Sequence, residues 1–350
     1  MATMPGRNVL NDPFLAGRNA APRFLFLLQP EFPMNAFILA TEPLRIANQN
    51  SGRQLFDWSF ASETGQPVRA SNGMWVDVEH RLGSLPRADF LLLFEGNLPT
   101  QRNSQRLLAA LRTARRHGTF VIAIDTAAFA LAQAGLNDEQ ATVLHWEAAR
   151  AFAERFPSIP ISNQIYHLGE GLGFAAGGVA TLDLMLDIIA RLRGRALANE
   201  VANALVHSPR APETAQRIDD SQAAGTPSLS RRIVSLLEQN LDFPLTPSEL
   251  ARQLGLSVRS LERHCRTHFS QSPMQLSLRI RLMAARNLLF YEELEAKEIS
   301  DACGFSYPSV FTRAFKAQFG QTPRQFRASF RAAQQPVRPE IVRLSGKPAG

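Results

Sequence analysis

The chain has 350 residues, 45% of them apolar and 20% charged, which is enough for two separate cores. The net charge of +7 is lopsided: residues 1–228 hold 20 Lys and Arg against 21 Asp and Glu, whereas residues 229–331 hold 15 against 9, so the C-terminal third expects an anionic partner. No apolar run reaches the ~20 residues of a membrane helix, no leader is expected at the start, and two isolated cysteines, Cys265 and Cys303, argue against a disulfide framework and for a reducing cytoplasm.

Residues 1–22 are rich in Asn, Pro, Gly and Ala and read as a loose arm. From Arg23 to residue 206 the pattern alternates strands and helices. The dense apolar runs at 24–28, 89–94 and 119–124 have the character of parallel strands buried on both faces. Helical patterns follow each of them, at about 34–50, 101–117 and 127–135. Further helices at 178–193 and 196–206 are candidate contact surfaces between two copies. Strand–helix alternation implies a doubly wound α/β domain, whose working crevice lies at the carboxyl ends of its strands. The run at 121–124 delivers Asp125 to that edge. A polar stretch within 207–228, rich in Pro, Ala, Ser and Asp, reads as a linker.

Residues 229–331 are helical throughout and contain a repeat; residues 332–350 read as a tail. Glu249, Gly255 and Ser257 recur 49 residues later as Glu298, Gly304 and Ser306, and Arg263, Phe269 and Pro273 recur 50 later as Arg313, Phe319 and Pro323. In the first copy a short helix ends at Gly255, where positive φ is cheap, and Ser257 caps the next helix. That helix turns Val258, Leu261 and Cys265 inward and Arg259, Ser260, Arg263 and Arg266 outward. The second copy expects Ser306 as its cap, Val310, Ala314 and Phe315 inward, and Ser309, Arg313 and Lys316 outward. Residues 272–292 read as one long helix between the copies. Helix, glycine turn and helix with a basic outer face is the helix-turn-helix arrangement. Arginine can bond guanine O6 and N7 in pairs while other cations hold phosphates. Two such helices about 34 Å apart reach successive major grooves. His264, Cys265 and His268 lack a fourth zinc-like ligand, so no metal and no cofactor is expected.

Residues 229–331 resemble the DNA-binding domain of the AraC/XylS family. The stretch EISDACGFSYPSVFTRAFKAQFGQTPRQFR (298–327) carries that likeness, and it implies base-facing positions for Arg259, Arg263, Ser309 and Arg313. Tyr307 and Pro308 depart from the polar residues usual there. Residues 23–206 are similar to PfpI-type, class I glutamine amidotransferase-like domains through VIAID (121–125), ATVLHW (141–146) and AAGGVATLDLML (175–186). FILATEPLRIAN (37–48) matches the subgroup fused to AraC-type domains. Where the enzymatic relatives carry a cysteine nucleophile this chain has Asp125, so catalysis by the usual thiolate route is not expected.

The resemblance implies a flavodoxin-like, amidotransferase-like domain plus an all-α double helix-turn-helix domain. It also implies an activator that binds double-stranded DNA as a homodimer, contacts RNA polymerase and senses a small inducer. Glu42, Asp125, His145 and Trp146 are the candidate ligand residues, and two carboxylates with an aromatic ring suit an amine, an amino acid or a quaternary amine. The residues leave three alternatives open: Glu42 pairs locally while Asp125 satisfies backbone N–H groups, the domain is a hydrolase whose helical part docks a partner, or it is a purely structural part of a constitutive DNA-binding protein.

Overall fold

The computed structural model describes residue 14 and residues 21–96, 103–137, 140–216, 229–291 and 294–333. Most of the expected arm, residues 217–228 of the expected linker and residues 334–350 of the tail lie outside the described residues.

The first half runs β1 (Arg23–Leu28), α1 (Met34–Ser51), β2 (Asp57–Ser62), β3 (Val68–Arg69), β4 (Trp75–Val76), β5 (His80–Arg81), β6 (Phe90–Glu95), α2 (Gln105–Arg116), β7 (Phe120–Asp125), α3 (Ala128–Gln133), α4 (Ala149–Arg155), β8 (Tyr166–Leu168), β9 (Leu172–Ala175), α5 (Val179–Arg193) and α6 (Arg195–Ala204). Seven strands form one sheet in the order β5-β2-β1-β6-β7-β9-β8, parallel except for the antiparallel β8–β9 pair. The main strands β2-β1-β6-β7-β9 give the 2-1-3-4-5 order of flavodoxin-like doubly wound sheets. β1, β6 and β7 are buried almost end to end because helices cover the sheet. Aromatic rings knit them in register: Phe24 stacks on Phe90 at 4.7 Å, and Phe90 lies 5.7 Å from Phe120. Near the sheet edge β2 carries half-exposed polar residues, so its DWSFAS run lacks the apolar density of its neighbours.

The second half comprises α7 (Leu229–Gln239), α8 (Pro247–Leu254), α9 (Val258–Phe269), α10 (Pro273–Tyr291), α11 (Ala296–Ala302), α12 (Pro308–Phe319) and α13 (Pro323–Ala333). α8 and α11 open on matching capping boxes, Thr246 with Glu249 and Glu295 with Glu298, 49 residues apart. Gly255 ends α8 with φ 72°, and Ser257 caps α9 by accepting from the Ser260 N–H.

The second unit departs from the expected register in two ways. Tyr307, not Ser306, holds the N-cap position of α12, without a side-chain bond, because Pro308 occupies the first helical position. The buried pair is Phe311 and Phe315, while Val310 is 41% exposed and Ala314 half-buried. The 50-residue offset explains this: it places Phe311 on Leu261 and Phe315 on Cys265, both fully buried, whereas a slip of one residue turns the helix face by about 100°. Val258, at the first turn of α9, is likewise 38% exposed rather than inward.

Arg281 on α10 fastens the second turn. Its guanidinium donates to the carbonyls of Cys303 and Gly304 at 2.7 and 2.6 Å and lies over the Phe305 ring at 4.1 Å. Among the described residues no helix is long and apolar enough to cross a membrane.

Candidate nucleic-acid interface and ligand site

Arg259, Arg263 and Arg266 are exposed on α9, and Ser309, Arg313 and Lys316 on α12, so the two helices present equivalent basic faces. Among the described residues none of these five cations makes a hydrogen bond or ion pair, so all five keep their donors for an external acceptor. Ser260 differs: it is half-buried and its hydroxyl accepts from Ser257 Oγ at 2.9 Å, inside the cap. Three apolar groups stand among the cations, Val258, Val310 and the 67%-exposed Tyr307.

The second cluster lies at the carboxyl edge of the sheet. Asp125 ends β7 with φ 63°, in the left-handed region that non-glycine residues adopt uncommonly, Asp and Asn more readily than most. Its carboxyl abuts Gly177, where an added Cβ would come within 2.8 Å of Oδ2, so glycine there makes room for the acid. Gly178, the residue before α5, faces the exposed Asn35 at the start of α1. Neighbouring β6 brings the buried Glu95 into register with Asp125. Burial first, and the charge of Glu147 second, push the Asp125 carboxyl up to about 8. Among the described residues that carboxyl accepts no hydrogen bond and joins no ion pair.

The other expected ligand residues divide. Glu42 pairs with Arg45 one turn along α1 at 2.8 Å, and no bond joins it to Asp125. His145 Nδ1 accepts from the Glu147 N–H at 3.4 Å, and burial lowers its pKa against the opposing pull of Glu147. Trp146 lies 5.8 Å from His145, ring to ring, and is 38% exposed. Glu147 was read only as a sequence neighbour of Trp146, without a role of its own. It sits in a 3-10 turn (Trp146–Ala148), its charge reaches both Asp125 and His145, and its Oε1 lies 3.2 Å from Arg286 Nη2 on α10. Asn35 and Gly177 were also unassigned, though Gly177 falls inside the AAGG stretch that carried the family likeness.

The helix-turn-helix domain profile matches residues 250–329. The transcriptional regulator CdhR of Pseudomonas aeruginosa is 36% identical over 329 residues, which is 93% of this chain and 96% of that protein. The regulator GbdR of the same species is 32% identical over 90% of this chain and 87% of its own length. Among solved structures, an AraC family transcriptional regulator from Pseudomonas putida covers 53% of this chain and 99% of its own, at 26% identity and a TM-score of 0.49.

Proposed function

This chain belongs to the AraC-type family of DNA-binding transcription regulators, and on that premise we propose that its α/β half is a sensor for a small cationic metabolite. The observation that carries the reading is the Asp125 carboxyl, held in a strained backbone position at the working edge of the sheet and without a hydrogen-bond or ion-pair partner among the described residues. Burying an acid in that way costs stability unless something repays it. An ammonium group repays it directly, since opposite charge favours the ionised form that burial disfavours. Glu147 adds negative field, and the half-exposed Trp146 offers a ring face to an amine or quaternary amine. An amino acid fits the same chemistry through its ammonium end.

The sensor is not a hydrolase in this reading. Asp125 stands where the enzymatic relatives carry their cysteine, and a carboxylate is a poor nucleophile toward amides. Cys265 and Cys303, the two cysteines of the chain, are buried in the helical half. Occupancy of the sensor would change how two DNA-binding domains of a homodimer are presented to a promoter and to RNA polymerase, as an activator requires. A ligand achieves that only if it favours one arrangement over another.

Calorimetric titration of the full chain with a panel of amines and amino acids tests the site. At least one should bind, and Asp125→Ala should abolish that heat. Undiminished binding by the variant refutes the role given to Asp125.

A further inference from the structure

The two helix-turn-helix units are anchored differently. The first buries Ile233, Leu250, Leu261 and Cys265 in a cluster of its own, closed by Leu276 from the first turn of α10. Phe311 and Phe315 of the second, with Leu282, Leu288 and Leu289 from the rest of α10, belong to the apolar cluster that runs on into the sheet domain. Two polar contacts cross at the same place. Arg150 on α4 donates to the Ala302 carbonyl, the last residue of α11, at 2.6 Å. Arg286 on α10 pairs with Glu147 at 3.2 Å, each side chain still in contact with water. The carboxylate that binds α10 is therefore the one whose charge reaches Asp125.

We propose that this contact is a charge-gated latch: a cation held beside Asp125 competes with the Arg286 guanidinium for the Glu147 carboxylate and so loosens the sheet domain's hold on the second helix-turn-helix unit. The latch rests on the cation-binding reading of Asp125 above and adds the route by which occupancy reaches the DNA-binding half. Its sign follows from Coulomb's law. A cation near Glu147 draws part of that carboxylate's field from Arg286 and repels the guanidinium as well, and both effects favour release. The competition is reciprocal, so a docked Arg286 weakens cation binding by the factor with which the cation weakens docking. Because the reading faces of α9 and α12 are already exposed when the latch is shut, opening it changes the placement of one unit relative to the other instead of uncovering either.

The test uses the full chain with tetramethylammonium and ethylammonium chloride as probes, against sodium chloride at equal ionic strength. Backbone hydrogen exchange over 296–304 reads the latch, and exchange over 250–254 in the first unit serves as the control. Bound probe should speed exchange of 296–304 about fivefold, the low end of usual coupling between sites, and leave 250–254 unchanged. Arg286→Met should exchange at the fast rate without probe and bind either ion about fivefold more tightly. Glu147→Gln, which removes the partner carboxylate instead, should also open the latch and guards against a folding defect in the first variant. If the probes bind yet exchange of 296–304 does not change, or if both variants keep wild-type exchange, the latch is wrong and the sensor reading stands. If neither ion binds wild type or Arg286→Met, the cation site itself is wrong and the latch falls with it.

Discussion

Asp183 on α5 and Arg210, in the segment that follows α6, are joined by three bonds: the Arg210 backbone N–H donates to Oδ1 at 2.9 Å, and Nε and Nη2 lie 2.8 and 2.7 Å from Oδ2. His207 Nε2 adds a fourth contact at 2.7 Å. The carboxylate is fully buried, so these bonds replace its water and fold the segment back on the sheet domain. Residues 207–216, expected as linker, are stitched down further by Ile165 N–H donating to the Pro212 carbonyl and by Gln216 donating to the carbonyls of Leu144 and Gln164. Asp183→Ala should cost about 2–3 kcal/mol in denaturant unfolding, below the usual loss for breaking a buried pair because Arg210 can turn toward water. A loss near zero would mean that the segment is held by its other contacts alone.

The strained acid gives a pH dependence with a defined sign. An Asp carboxyl raised to about 8 in the folded chain keeps its proton across a range where the unfolded chain has lost it. The native state then binds more protons, so stability falls as pH rises from about 4 to about 8 and levels off above. Asp125→Asn removes the titration, and asparagine tolerates the left-handed backbone at φ 63°. Melting temperatures of the two proteins from pH 5 to 9 should therefore diverge with rising pH, the variant gaining on the wild type. Parallel curves would contradict the raised pKa.

How much of this was legible in the sequence follows from how local each signal is. Strands β1, β6 and β7 declare themselves because both faces are buried and every residue but one charged end residue in each is apolar. β2 does not, since half its residues meet solvent near the sheet edge. The repeat exposed the two basic faces, and applying its 50-residue offset strictly would also have put Phe311 and not Val310 inside. Glu147 was legible only as a neighbour of Trp146: its pairing with Arg286, 139 residues away in the helical half, is encoded in no periodicity. Glu42 shows the converse case, because Arg45 lies one turn along the same helix and pairs with it locally.

Gly255 and Gly304 occupy equivalent turns, and comparing them separates two costs. Both have positive φ, 72° and 70°. A Cβ at Gly255 meets nothing within 4 Å, whereas one at Gly304 comes within 2.4 Å of the Leu241 carbonyl oxygen and 2.8 Å of that of Asp242. Gly255→Ala should therefore show only the backbone cost of about 1–2 kcal/mol. Gly304→Ala should lose more, because the chain after α7 must move away from the second turn. Unfolding of the two variants measures the difference directly, and equal losses would show that the approach of Leu241 to Gly304 is freely relieved.

Arg263 and Arg313 sit at the same place in the two units, exposed and without protein partners among the described residues. Each, changed to alanine, should lose about 1–3 kcal/mol of affinity for a duplex selected from random DNA by the wild-type chain, with the loss confined to one half of the site. A uniform loss on unrelated duplexes would mark the residue as a phosphate contact instead. The halves of that site should not match. Val310 stands three residues before Arg313, on the same helix face and 41% exposed. Its counterpart Ser260 is half-buried, with its hydroxyl engaged by Ser257. An exposed isopropyl group favours a thymine methyl, whereas an engaged hydroxyl offers little readout. Val310→Ser should thus relax a thymine preference in one half-site and leave the other intact. A symmetric selected site, or a preference untouched by the change, would place Val310 off the bases.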